Sequence, residues 1–154
     1  MKTLSLLCLS MFSVLPAFAS DLSARSLKLE PLSIEKDFEG GCGCSVGRSH
    51  GENFQTLVFA SFEERSPALV KLDGQVRSLP FSSSSEKARA PRVGDRFTKV
   101  YSDGSLRLTL RHKTTAVCAK EDESCEVTNY RVDASLEQGR ERRVLKSLEG
   151  DCGC

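Results

Sequence analysis

The sequence predicts an all-β domain, a single antiparallel meander of six to seven strands that forms a small barrel or a sandwich. Three observations predict it. Asp73-Gly74 and Asp103-Gly104 each stand between two extended runs, and an Asp-Gly pair is a strong hairpin signal because both turn positions need positive φ. Leu106, Leu108 and Leu110 alternate with Arg107, Thr109 and Arg111, which is the pattern of a half-buried strand. No apolar stripe of period 3.6 runs long enough to make a helix.

The chain opens on a three-part export signal. Lys2 gives a positive start, an uncharged apolar run follows over residues 4–15, and Ala17-Phe18-Ala19 supplies small residues for cleavage before Ser20. The expected signal peptide is therefore 1–19, and the expected location is periplasmic or secreted. The apolar run is too short to span a bilayer, and the mature chain is expected to have no membrane span. Cys8 leaves with the signal, so seven cysteines become six. An even set in an exported chain reads first as a disulfide framework. Loss of Lys2 also balances the charges at 21 basic and 21 acidic residues. Nucleic-acid binders usually carry a basic excess, so that partner is excluded in favour of a protein or a cell-envelope component.

Residues 20–38 carry Pro31 and scattered charges and read as an N-terminal arm or linker. Residues 39–154 form the stapled β-domain, with regular structure expected from about Asn53. The run 54–62 is apolar on both faces, as a strand buried on two sides would be. Ala68–Leu72 and Gln75–Leu79 flank the first Asp-Gly turn. A polar loop, from Ser82 through Ser84 and Ser85 to Pro91, follows. Strands over 97–101 and 105–112 flank the second turn. Gln138-Gly139 joins the last two strands, 127–136 and 140–148, with Tyr130, Val132, Ala134 and Leu136 facing inward.

The most specific feature is a repeated hexapeptide. Glu39-Gly40-Gly41-Cys42-Gly43-Cys44 matches Glu149-Gly150-Asp151-Cys152-Gly153-Cys154 at five of six positions. In an extended segment residues i and i+2 face one side, so each Cys-Gly-Cys projects two sulfurs together, while its glycine lets another chain approach closely. Three chemistries fit. Disulfides Cys42–Cys154 and Cys44–Cys152 would tie the two ends of the domain in antiparallel register. The first, closing a loop of roughly 110 residues, is worth about 4–5 kcal/mol in the chain-entropy model. Alternatively, the four thiolates could hold Zn²⁺ or Cu(I), with His50 as an added ligand. In the absence of such a metal no cofactor is expected. Thirdly, each pair could close on itself and exchange with other thiols, although Glu39, Asp151 and the terminal carboxylate favour the unreactive thiol form. Cys118 and Cys125 enclose the acidic segment 119–124 and read as a disulfide across a hairpin mouth.

Gly47-Arg48-Ser49-His50-Gly51 spells Gly-x-Ser-x-Gly, but a nucleophile elbow needs a strand before the serine and a helix after it. A strand is expected to follow here. The other histidine, His112, is placed on the outer face of its strand. The chain therefore reads as a non-enzyme. Arg107 and Arg111 begin a basic stripe to which Lys71, Arg77, Arg92, Arg96 and Lys99 could add. Together with Ser84, Ser85 and Lys87 of the polar loop, they are the candidate partner-binding residues.

Ala68-Leu69-Val70-Lys71-Leu72-Asp73-Gly74-Gln75-Val76-Arg77-Ser78-Leu79-Pro80, followed by a Ser-rich loop and a late cysteine, resembles the periplasmic inhibitors of c-type lysozyme. That resemblance implies a small β-barrel that inserts a loop into the lysozyme cleft. It covers about a third of the mature chain and lacks that family's Ser-Gly-x-x-Tyr loop, whose place Ser84-Ser85-Glu86-Lys87 takes. The chain also resembles bacterial exported proteins with terminal Cys-Gly-Cys motifs, a resemblance that implies no activity.

Overall fold

The computed structural model describes residues 27–154, apart from 34, 39, 40, 52, 64 and 120–124. The expected signal peptide and the acidic tip at 120–123 lie outside the described residues. Among the described residues the chain is all-β and antiparallel, with no helix. Ten strands form it: β1 (Leu29–Glu30), β2 (Gly43–His50), β3 (Asn53–Ser61), β4 (Ala68–Leu72), β5 (Gln75–Leu79), β6 (Phe81–Ser84), β7 (Arg96–Ser102), β8 (Leu106–Ala116), β9 (Thr128–Gln138) and β10 (Glu141–Gly153).

They make one open sheet, in the order β1-β4-β3-β2-β10-β9-β8-β7-β6, with β5 on the free edge of β4. Two meanders, β2 to β5 and β6 to β10, meet where β2 pairs with β10. The sheet is thus larger than the expected six or seven strands, and among the described residues no hydrogen-bonded ladder closes it into a barrel. Only Pro80 separates β5, at one end, from β6, at the other. Proline has no N–H to give to a ladder, so the strand divides there. The Pro80 carbonyl instead accepts from the Ser102 amide at 2.9 Å. Buried side chains from both meanders form a single core, from Val46, Val58, Val70 and Leu79 to Leu106, Leu108, Val132, Leu136 and Leu148.

The turns explain the best-defined elements. Asp73 (φ 50°) and Gly74 (φ 72°) both occupy the left-handed region, as a two-residue hairpin turn requires. The second turn works differently. Only Gly104 has positive φ there, while the Asp103 carboxylate accepts from the amides of Ser105 and Leu106. That side-chain turn replaces the expected paired positive φ values.

Three strands escape the sequence pattern. β2 is a full strand that starts ten residues before the expected onset of regular structure, and β6 takes Ser82, Ser83 and Ser84 out of the expected loop. The third is β1, which pairs with β4 where β3 has left it. The stretch read as an arm carries β1 and the buried Leu27, Leu29 and Leu32. Phe38 stacks on Phe59 with ring centres 4.4 Å apart, and Asp37 pairs with Lys71 at 3.0 Å. This covering segment helps to bury β3, in which every residue from Thr56 to Ala60 is buried.

Candidate functional site

The strand directions put unlike connections at the two ends of the sheet. Tight turns at 73–74, 103–105 and 139–140 lie at one end. At the other lie the longer connections 62–67, 85–95 and 117–127, the start of β2 and the end of β10. Both Cys-Gly-Cys motifs belong to this second, loop end.

The cysteines pair as the antiparallel reading expects. Cys42 bonds Cys154 and Cys44 bonds Cys152, with Cα separations of 4.2 and 4.0 Å. Cys44 and Cys152 are register partners in the β2–β10 ladder. The glycines between them are sterically required. A Cβ on Gly43 would lie 2.6 Å from the Ala60 carbonyl oxygen and 2.8 Å from the Phe59 ring. On Gly153 it would lie 2.7 Å from Val127 Cγ2 and 2.8 Å from the Glu126 carbonyl oxygen. Cys118 bonds Cys125, which closes the β8–β9 connection. All six described cysteines are therefore bonded, and a thiolate metal site would need the four motif sulfurs reduced. His50 stands at the far end of β2, six residues and about 20 Å along the strand from Cys44. It pairs across the hairpin with Asn53, away from the sulfurs. Ser49 donates to the Glu149 carboxylate and leads into the β2–β3 hairpin, with a strand where an elbow would need a helix.

A cavity of about 790 Å³ opens at the loop end, between the halves of the sheet. Val46, Val58 and Ala60 wall it from one half, and Leu110, Tyr101 and Phe81 from the other. Cys44 also lines it, so one of the two stapling bridges borders the cavity. Phe62, about half exposed, stands at the mouth, as do Ser84, Glu86 and Lys87. Lys99, expected on the basic stripe, instead lines this cavity. It pairs with Leu110 across the ladder, and its ammonium reaches Glu86 at 3.0 Å.

His112 lines the same cavity. Its predicted outer-face position is wrong, because residue 112 shares the parity of Leu106, Leu108 and Leu110 and so faces inward. Its ring stacks on Phe97 at 4.4 Å and meets Tyr130 edge-on at 5.6 Å. Burial pushes its pKa down to about 3, with the Lys99 charge adding to the effect. Burial also pushes Tyr101 up to about 12, and the Glu86 carboxylate adds to that shift. The His112 Nδ1 and the Thr114 hydroxyl are buried without a hydrogen-bond partner.

The outer face of β7–β9 holds the other part of the candidate set. Arg96, Lys113 and Arg131 face one another in one row across three strands, beside a groove of about 460 Å³ that Arg111 and Ser85 also line. Asp133 faces Arg111, and its carboxylate accepts from the Ser147 amide. Arg107 lies nearer the turn end, opposite Glu137. The structure thus divides the candidate residues. Ser84 and Lys87 stand at the cavity mouth, Ser85 and Arg111 at the outer groove, and Arg107 apart from both. Lys113 and Arg131 were missed, although extending the β8 alternation by two residues finds Lys113.

Comparison with protein-family models, with curated proteins and with solved structures finds no match. The hairpin that resembles lysozyme inhibitors is β4–β5, and its Asp73-Gly74 turn lies at the opposite end from the cavity.

Proposed function

We propose that this chain is an exported, disulfide-stapled β-domain that binds a cell-envelope partner by taking an apolar part of it into the loop-end cavity. The observation that carries this reading is the cavity itself. Its volume falls within the usual range of ligand pockets, roughly 300–1,000 Å³, and Val46, Val58, Ala60 and Leu110 give it an apolar side among serine and charged side chains. Export is supported by the leader-like residues 1–19 and by three disulfides, which persist in oxidising compartments. The staples serve the site by holding the start of β2 against the end of β10 beside the cavity.

Titration with N-phenyl-1-naphthylamine, an apolar dye that fluoresces when sheltered from water, tests the reading. One dye per protein is expected, and the cavity-filling variant Ala60→Trp should lose at least tenfold in affinity while keeping its three disulfides. A wild-type protein that leaves the dye dark would defeat the proposal. Mass measurement on the purified protein separates the rival chemistry. The expected result is no free thiol and no metal, whereas four free thiols with stoichiometric zinc or copper would establish the metal site instead.

A further inference from the structure

The register of β7, β8 and β9 lines up like charges. Arg96 faces Lys113, and Lys113 faces Arg131. Register partners project from the same face with Cβ atoms about 4.5–5.5 Å apart, and like charges set opposite one another weaken a sheet. Arg111, two residues before Lys113, adds a fourth cation to that face. All four are exposed. The fold gains nothing from the row, because a neutral residue at 113 would relieve it.

Elsewhere the same face is balanced. Arg107 stands opposite Glu137, which pairs with Arg142 at 3.2 Å. Around the row the carboxylates serve other donors. Glu149, opposite Arg131, accepts from the Ser49 hydroxyl, and Asp133, opposite Arg111, accepts from the Ser147 amide. Asp95, beside Arg96 in the sequence, is held by Arg89 at 2.7 Å. None of the four cations enters an ion pair among the described residues. All four instead line the outer groove of about 460 Å³.

We propose that this groove binds a small soluble molecule through a phosphate monoester held by Arg96, Lys113 and Arg131, with Arg111 at its side. Charge and shape select that group. Four cations against the carboxylates of Asp133 and Glu149 leave an excess of two. A phosphate monoester carries about −1.5 to −2 at neutral pH, whereas a carboxylate or a sulfate ester brings a single charge. Guanidinium forks match phosphate oxygens two at a time. Ser85, Thr98 and Ser147 line the groove with further hydroxyl donors. The groove is also of small-molecule size, and a flat bilayer surface cannot enter it.

Titration calorimetry of the disulfide-bonded protein at low salt, with phenyl phosphate and phenyl sulfate, is the test. These probes are nearly the same shape and differ by one charge. Phenyl phosphate should bind one to one and about tenfold more tightly, and that advantage should fade below about pH 6 as the phosphate takes up a proton. Lys113→Gln and Arg131→Gln should each weaken it about tenfold without lowering the urea midpoint. Arg140→Gln removes the same charge at the far turn and should change nothing. Equal affinity for the two probes, or equal weakening by Arg140→Gln, would reduce the row to diffuse attraction and overturn the proposal. So would binding to phosphatidylglycerol vesicles by a protein that ignores phenyl phosphate, which would assign the face to a membrane surface. The dye titration of the loop-end cavity reads a different site, so either reading can fail alone.

Discussion

Protonating His112 in place would put a charge between Phe97 and Tyr130 with the Lys99 ammonium nearby. The unfolded chain has no such obstacle and takes the proton near pH 6.5. Between about pH 6.5 and 3 the unfolded state therefore binds more protons, so this group's contribution to stability is undiminished above that window and falls as pH drops through it. One proton limits the slope to about 1.4 kcal/mol per pH unit. The lowered carboxyl pKa values of Asp37, Asp95 and Asp103 act only below about pH 4, and the raised Asp151 acts with opposite sign just above it. The melting temperature should thus fall between pH 6.5 and 4.5 in wild-type protein and stay nearly level in His112→Phe. An equal fall in both would assign the dependence to another group. The motif glycines make a second prediction at this scale. Gly43→Ala and Gly153→Ala each force a Cβ into backbone and side-chain atoms closer than 3 Å. Each should lower stability by about 1–3 kcal/mol with disulfides intact, read as a lower urea midpoint.

The β2–β10 seam is the element on which the domain depends. Its bridges join cysteines 112 and 108 positions apart in the sequence, and once one is closed the other closes only a small extra ring. Replacing either pair of cysteines by serine should therefore cost little, and replacing both pairs about 4–5 kcal/mol, measured by urea unfolding. A full loss from one pair alone would contradict that coupling. The same seam shows what the sequence makes legible. The bonds Cys42–Cys154 and Cys44–Cys152 follow from register because i and i+2 share a face, and β4 and β5 match their expected bounds because Asp73-Gly74 permits only a tight turn. β2 and β6 are hidden by composition. Gly43, Gly47 and three serines carry little strand preference, and it is neighbouring strands that hold them extended. Lys99 defeats a charge-based reading because an inward-facing lysine is readable only from its partner Glu86, thirteen residues earlier.

At the scale of the molecule, tight turns occupy one end of the sheet and long connections the other. That division put Ser84 and Lys87 at the mouth of a cavity, and the sequence had already singled both out from a polar loop. It did not reveal the cavity wall, because Val46, Val58 and Leu110 look like any core residues until two distant meanders face each other. The N-terminal segment over β3 has the same origin: Phe38 and Asp37 gain meaning only from Phe59 and Lys71 beneath them.

The bond between Cys42 and Cys154 also decides how the domain carries load. Tension applied on either side of it passes from sulfur to sulfur and bypasses the sheet. The intervening chain, a sequence separation of 112 and about 380 Å when fully drawn out, cannot be paid out while that bond is intact. Pulled from its two ends the domain would act as a short inextensible link, and the cavity would keep its shape under a pull that would unzip an unbridged sheet.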